Sequence, residues 1–397
     1  MNLNLNLSLN LNRRFFLHRS RRATTPGRNR GLKPTATIAA SLRDAGRRNA
    51  LNLPKALRVV LLLLALPLSF SPPACASPSA TPSPAPAQVI SVTDSRATAA
   101  FEPRLERVRA MVQKGLLRLT HKSTIIQAWR TLLSTNDIVG IKVYSRPGPN
   151  SGTRPAVVAA VVEELLSAGL PATNILVWDK DITDLKLAGF VDLAKRYGVR
   201  VAGSLQAGYD SATFYESPIL GNLVWGDLEF EKGGSEVGRK SFFSKLVTHG
   251  MTKIVNVTPL LNHNSAGVSG NFYSLVTGSV DNFARFEGTP ERLATAVPEI
   301  YNLPPLADRV VLNIVDALIC QYEGAERSLL HYSATLNQLR FSRDPVALDV
   351  LSLQELERQR QATRAPEVKE DMELYNNAAL LQLGVSDLKK VQVEELR

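Results

Sequence analysis

Three polar side chains are candidates for catalysis, and each ends or follows a segment with the pattern of a β-strand. Lys142 lies near the carboxyl end of one strand, His263 follows a second, and Asp349 lies in a helix that begins after the last one. A lysine can bind an anionic group, a histidine can act as a general base, and an aspartate can act as an acid. These residue types predict acid–base catalysis, with Lys142, His263 and Asp349 as the catalytic residues.

Each of the three also has an ordinary structural explanation. Lys142, in a strand covered on both faces, could simply pair with an acid. His263 could be held by hydrogen bonds within its loop. Asp349 could pair with Lys142 or with Arg343. Both explanations stay open at this stage. A serine nucleophile at residues 267–270 is excluded, because Asn271 stands where a nucleophile elbow needs its last glycine.

Two further aspartates at strand ends, Asp179 and Asp316, are candidate metal ligands. Together with His263 they offer hard oxygen and imidazole donors that suit Mg²⁺, Mn²⁺, Fe²⁺ or Zn²⁺, although no tight ligand spacing supports a metal site. The cofactor is therefore left open, with a divalent metal as one candidate. Cleavage after Ala76 would leave Cys320 as the single cysteine of the mature chain, and one cysteine cannot ligate an iron–sulfur cluster.

Polar residues in the loops near these strand ends are candidates for binding the substrate. We assign this role to Ser151, Thr153, Asn264, Ser269 and Asn282. The loops are rich in Gly, Pro, Asn and Ser, which are typical of turns.

These candidates depend on an organising unit at residues 137–181. A short run of alternating β-branched residues ends near Lys142, and a Pro/Gly-rich break follows it. Thr153 is a suitable helix N-cap, Pro155 suits the first turn, and Gly169 ends the apolar helical pattern. A strand resumes and ends on Asp179. A strand, a helix of about four turns and a second strand predict a right-handed parallel crossover.

The sequence predicts an α/β fold with a mixed, mostly parallel sheet flanked by helices. Further strands are predicted at residues 199–202, 253–257, 310–315 and 338–341, and a helix is predicted at residues 240–249. Residues 205–239 lack a sustained period, so we expect a long loop or a small β insertion there. Because parallel strands bind ligands beyond their carboxyl ends, the candidate residues, together with Asp344 at the start of the helix after the last strand, are expected to line one crevice at that edge.

Charge and hydropathy divide the chain into a basic leader, a linker and one domain. Residues 1–76 hold 13 Lys and Arg but a single acid, while the remaining 34 basic and 35 acidic residues give a formal charge of −1. This balance argues against a nucleic-acid partner. The predicted boundaries are a leader at 1–76, a Pro/Ala/Ser-rich linker at 77–100, and one α/β domain at 101–397.

The leader resembles a secretory signal peptide. Basic residues precede the short apolar segment 59–70, and Ala74-Cys75-Ala76 provides a small-x-small cleavage site. We therefore expect an exported protein, periplasmic or extracellular, with no membrane span in the mature chain. An uncleaved leader or a lipidated Cys75 would tether it to the membrane.

Four stretches resemble the DUF362 family, a prokaryotic group named for its unknown function. They are Val139-Gly140-Ile141-Lys142-Val143, Ile175-Leu176-Val177-Trp178-Asp179, the segment 255–270, and Ser342-Arg343-Asp344-Pro345-Val346-Ala347-Leu348-Asp349. Family members usually carry a lysine at the position of Leu261 and Lys-Asn at Tyr273-Ser274, so roles of those residues do not transfer. The resemblance implies an α/β fold and a site at the strand ends, but no reaction.

Two functions from different classes fit the sequence. The first is an enzyme acting on a small polar or anionic substrate in the crevice, with metal assistance as an option. The alternative is a non-catalytic solute- or metal-binding protein that uses the same crevice. Both imply a small-molecule ligand, whereas a third, structural role at the cell envelope would leave the crevice filled and dry.

Overall fold

The computed structural model describes residues 86–232, 236–365 and 371–397. The described residues belong to one compact unit, Pro78–Arg397. The predicted leader, with its apolar segment and Cys75, lies outside the described residues. No helix among the described residues is long and apolar enough to cross a bilayer.

A nine-stranded mixed sheet forms the centre of the domain, and its main path runs β13-β1-β12-β11-β9-β4-β5-β6. Strands β6, β5, β4, β9 and β11 run parallel to one another, whereas β12 is antiparallel to both β11 and β1. The strands are β1 Ala87–Thr93, β2 Thr98–Ala99, β3 Glu102–Pro103, β4 Val139–Lys142, β5 Ile175–Asp179, β6 Arg200–Gly203, β7 Tyr209–Asn222, β8 Val237–Ser244, β9 Lys253–His263, β10 Gly267–Val268, β11 Val310–Gln321, β12 Ser333–Ser342 and β13 Val391–Leu396.

Helices cover both faces of this sheet. They are α1 Leu105–Thr120, α2 Ile125–Leu132, α3 Gly148–Ser151, α4 Pro155–Ser167, α5 Ile182–Leu187, α6 Phe190–Tyr197, α7 Ser204–Ala207, α8 Tyr273–Ser279, α9 Pro290–Tyr301, α10 Pro304–Ala307, α11 Pro345–Thr363 and α12 Glu373–Leu380. The predicted α/β fold with a mixed, mostly parallel sheet is therefore confirmed.

Alternation along the strands explains why the sheet has two apolar cores. In β4, Val139 and Ile141 pack with helices α1, α2, α4 and α6, and Lys142 points to the other face. That second face packs against α8, α9, α11 and α12. Because β4 is covered on both sides, Lys142 has no route to solvent and is fully buried.

The insertion after β6 is a β-hairpin. Strands β7 and β8 pair antiparallel to each other, which confirms the small β insertion among the two predicted alternatives. The predicted helix at residues 240–249 is wrong, because β8 continues to Ser244 and only a short π-helical turn, Leu246–Gly250, follows it.

The predicted linker at 77–100 extends too far along the chain. Strand β1 lies within that range and pairs with β12 on one side and β13 on the other. Its side chains Val89, Ile90 and Val92 are buried. The proline-rich residues just before β1 led to a linker prediction that included the strand itself, although the residues of β1 are β-branched. The folded domain therefore begins near residue 86 instead of 101.

This boundary predicts that a chain starting at residue 86 unfolds cooperatively in urea and that a chain starting at residue 101 does not. Losing β1 removes three buried aliphatic side chains worth roughly 1.5–3 kcal/mol each, a large part of the roughly 5–15 kcal/mol that stabilises a domain. Circular dichroism would monitor both titrations. Equal midpoints for the two chains would contradict the assignment of β1 to the sheet.

Candidate functional site

A buried ion pair joins the carboxyl ends of β4 and β5. The Nζ atom of Lys142 lies 2.8 Å from Oδ1 of Asp179, and both side chains are almost fully buried. Lys142 also donates to the carbonyl oxygen of Val143, while Asp179 accepts from the backbone N–H and the hydroxyl of Ser145. Burial lowers the pKa of Lys142, and the Asp179 carboxylate opposes that effect. Asp179 is thus the partner of Lys142, and the pairing of Lys142 with Asp349 that the sequence left open is not formed.

Helix α8 lies directly over this ion pair, and its glycine makes the approach possible. A Cβ atom on Gly278 would lie 2.3 Å from Cε of Lys142 and 3.1 Å from Oδ1 of Asp179. The first distance is far below van der Waals contact and the second is tight, so an alanine there would displace the lysine side chain or the helix. The same helix begins next to Asn271, whose carbonyl oxygen accepts from Asn256 in β9. The helix is therefore fixed at both ends.

His263 lies at the end of β9, where its ring packs against the ring of Tyr273 of α8 at an interplanar angle of 40° and with 4.0 Å between ring centroids. Its Nδ1 atom accepts from the backbone N–H groups of Ser265 and Ala266. The ring proton of the neutral form must therefore lie on Nε2, which makes this atom a donor. Burial, with a smaller effect of Arg146, lowers the pKa of His263 to about 4. In this conformation His263 offers no lone pair to a proton or a metal.

Asp349 anchors the loop that precedes α8. Its carboxylate accepts from the backbone N–H of Asn271 and of Phe272 and from the Asn271 amide. Gly270 leaves the space it needs, because a Cβ there would lie 2.3 Å from Oδ1 of Asp349. Burial raises the pKa of Asp349 to about 7, although these hydrogen bonds act in the opposite direction.

The three residues predicted to be catalytic thus surround one short helix without touching one another. Asp349 lies at the start of α8, His263 against its first residue, and Lys142 beneath its end. No hydrogen bond or ion pair in the described residues joins any two of them. The further expectation that Asp344 shares this edge is wrong, because β12 is antiparallel and its carboxyl end lies at the opposite edge.

The two predicted metal ligands are each paired with a cation. Asp316 lies 3.1 Å from the Arg154 guanidinium and also accepts from its backbone N–H, while Asp179 holds Lys142. Throughout the ranges that the structure describes, no group of three or more His, Cys, Asp and Glu side chains is arranged to hold a metal ion. The geometry therefore gives the metal prediction no support.

The residues predicted to bind substrate do not come together as one set. Ser151 donates to Gln321, and Thr153 donates to the carbonyl oxygen of Val257. Asn282 is buried beneath the hairpin, where its amide donates to the carbonyl oxygen of Lys240. Ser269 is fully buried, whereas Asn264 is exposed in the turn after β9. Ser151, Thr153 and Asn282 therefore hold loops in place, and none of the five predicted residues lines the cavity described next.

A cavity of about 200 Å³ does lie beyond the carboxyl ends of β4 and β5, and we call it the strand-end cavity. This is the edge at which parallel sheets bind ligands. It has room for about six or seven water molecules at ~30 Å³ each, which suits a small ligand. Its lining residues are Tyr144, Arg146, Asp179, Lys180, Asp181, Asp184, Leu205 and Thr277.

Among the titratable groups in this lining, Lys180 and Asp184 have pKa values that their surroundings move towards neutrality. Burial lowers the pKa of Lys180 to about 8, against the attraction of Asp281 and Asp227. Burial raises the pKa of Asp184, and the neighbouring carboxylates Asp179 and Asp181 raise it further. Perturbed groups of this kind cluster at functional sites.

Sequence reasoning found Asp179 in this lining but missed Arg146, Lys180 and Asp184 as functional candidates. Lys180 directly follows Asp179, and Asp184 is one helical turn beyond the N-cap Asp181. That spacing places Asp181 and Asp184 on the same side of α5. Apart from this spacing, the sequence does not indicate that Asp184 lies at a cavity, because an acid on a short helix looks like an ordinary surface residue.

Comparison with known proteins gives a family and no activity. The family described as "Domain of unknown function (DUF362)" matches residues 139–354. No curated protein matches the chain. A solved structure of a protein from Thermotoga maritima is similar at 12% identity over 54% of this chain and 50% of that one, with a TM-score of 0.30. The chain thus spans half the length of that protein.

The contacts of His263 predict its protonation behaviour. Nitrogen-15 NMR should find His263 as the Nε2–H tautomer, uncharged at every pH above about 5, because burial lowers its pKa to about 4. An unfolded histidine has a pKa of about 6.5. Its neutral form therefore contributes stability above pH 6.5 that is lost as the pH falls towards 4.

A His263→Asn variant would assign the signal. A titration midpoint near 6.5, or a proton on Nδ1, would contradict the hydrogen bonds from Ser265 and Ala266.

Proposed function

The chain belongs to the DUF362 family, and because that family's description names no reaction, we propose a function from the geometry of the strand-end cavity. The protein binds a small polar molecule there. The observation that carries this proposal is the position of the cavity, beyond the carboxyl ends of two adjacent parallel strands, with polar side chains from several chain segments around it.

The contacts of the predicted catalytic residues favour binding over the chemistry first expected of them. The charge of Lys142 is engaged by Asp179, and His263 is a neutral hydrogen-bond donor. The Asp349 carboxylate already accepts from three N–H groups. These groups hold α8 in place, and α8 contributes Thr277 to the cavity wall.

A second candidate function is an acid–base enzyme that uses other residues of the same cavity. Lys180 and Asp184 favour it, because burial moves the pKa of the lysine down and that of the aspartate up, towards neutrality. The two functions differ in whether the bound molecule is converted. Export of the protein stays a prediction from the sequence.

The proposal predicts that filling the cavity abolishes ligand binding. A library of small metabolites would be screened by thermal shift, where a ligand at 100 times its Kd stabilises the protein by about 2.7 kcal/mol. Thr277→Trp should abolish the shift, because its side chain would occupy the cavity. Thr295→Trp should retain it, because Thr295 is exposed on α9.

Two results would contradict the proposal. One is a wild-type chain that no compound stabilises. The other is a Thr277→Trp variant that is well folded and responds to ligand as the wild type does.

A further inference from the structure

The cations around the strand-end cavity are already engaged by the protein's own groups. Arg146 forms an ion pair with Glu326 at 3.1 Å, and Lys142 is paired with Asp179. Glu326 also accepts from the hydroxyl of Tyr144. Each cation thus already has a carboxylate partner, which weakens the case for the anionic substrate that the sequence suggested.

The ammonium group of the remaining cation in this lining, Lys180, is held by groups outside the lining. Its Nζ atom donates to the carbonyl oxygen of Val280 and lies 5.2 Å from the centroid of the Tyr209 ring. The acids that act on it most strongly are Asp281 and Asp227. These lie under the hairpin, where Asp281 accepts from the backbone of Phe242 and Leu228. The charge of Lys180 is thus balanced mainly by acids that do not line the cavity.

Two carboxylates are left facing the cavity. Asp181 caps α5 through Oδ1, which accepts from the backbone N–H of Thr183 and from the Gln206 amide. Asp184 is half-buried, and its carboxylate has no hydrogen-bond or ion-pair partner within the described parts of the chain. Tyr144 and Leu205 supply the apolar part of the same lining.

We propose that the ligand of the strand-end cavity is a small organic cation, a primary or secondary amine whose ammonium group lies against Asp184 and Asp181 with its carbon skeleton along Leu205 and Tyr144. The inference rests on the proposed function and names its ligand class. An organic cation fits better than a metal ion, because the described residues contain no cluster of three or more ligating side chains arranged for a metal. An ammonium group needs only one or two acceptors and tolerates the apolar remainder of the wall.

The test compares molecules that differ only in one end group. Linear amino alcohols of two to six carbons would be titrated by calorimetry at low salt, beside diols and hydroxycarboxylates with the same skeletons. We expect at least one amino alcohol to bind at least tenfold more tightly than its diol and its hydroxycarboxylate. Asp184→Asn should weaken this binding at least tenfold. Asp192→Asn should leave it unchanged, because that side chain is 82% exposed.

The possible outcomes distinguish failure of the amine inference from failure of the proposed function on which it rests. Preferred binding of diols or hydroxycarboxylates, or of Mg²⁺ or Ca²⁺ alone, overturns the amine and leaves a ligand cavity. If no probe binds but the wider metabolite library still finds a ligand that Thr277→Trp blocks, the amine is likewise overturned and the ligand cavity stands. Failure of both screens overturns the inference and the proposed function together. Amine binding that survives in Asp184→Asn also overturns the inference.

Discussion

The buried ion pair between Lys142 and Asp179 is the constraint on which the site depends. Both side chains are almost fully buried, so each charge is stabilised mainly by the other and by the hydrogen bonds from Ser145 and to Val143. Removing one partner of such a pair leaves an uncompensated charge in a low-dielectric interior, which costs about 3–5 kcal/mol. The pair therefore fixes how the ends of two neighbouring strands lie relative to each other.

Helix α8 carries this constraint to the cavity. Gly278 lets the helix approach the ion pair, and Asp349 holds the loop at the other end of the helix through Asn271. Between these two points the helix presents Thr277 to the cavity and Tyr273 to the ring of His263. The residues that the sequence predicted to be catalytic thus hold helix α8 in position. The residues with a free face towards a ligand come from the segments next to them.

The central part of the fold could be predicted from the sequence because its pattern is local. Alternating β-branched residues, a break and a helical period give β4, α4 and β5, and the direction of a crossover follows from chirality. The direction of β12 is not local, since periodicity is the same in parallel and antiparallel strands. The misplacement of Asp344 followed from that ambiguity. Strand β8 was missed because its adjacent phenylalanines and the aliphatic residues after them also fit a helical period.

The site was predictable only in its location. Lysine and aspartate types mark the strand ends, but the sequence cannot say which acid a buried lysine takes, and Asp179 was assigned to a metal instead. Asp184 carries no pattern that distinguishes it from an exposed helix acid until α5 is placed beside the cavity. Pairing decides which charges remain for a ligand, and pairing is a property of the folded chain.

The coupling free energy between Lys142 and Asp179 tests this account most directly. It is measured by urea unfolding of the wild type, Lys142→Met, Asp179→Asn and the double variant. We predict that each single change destabilises the domain by about 3–5 kcal/mol, and that the double variant costs at least 2 kcal/mol less than the two together, within the range of ~0.5–3 kcal/mol known for coupled sites. Effects that add to within about 0.5 kcal/mol would show that the two charges do not depend on each other, and would contradict the account.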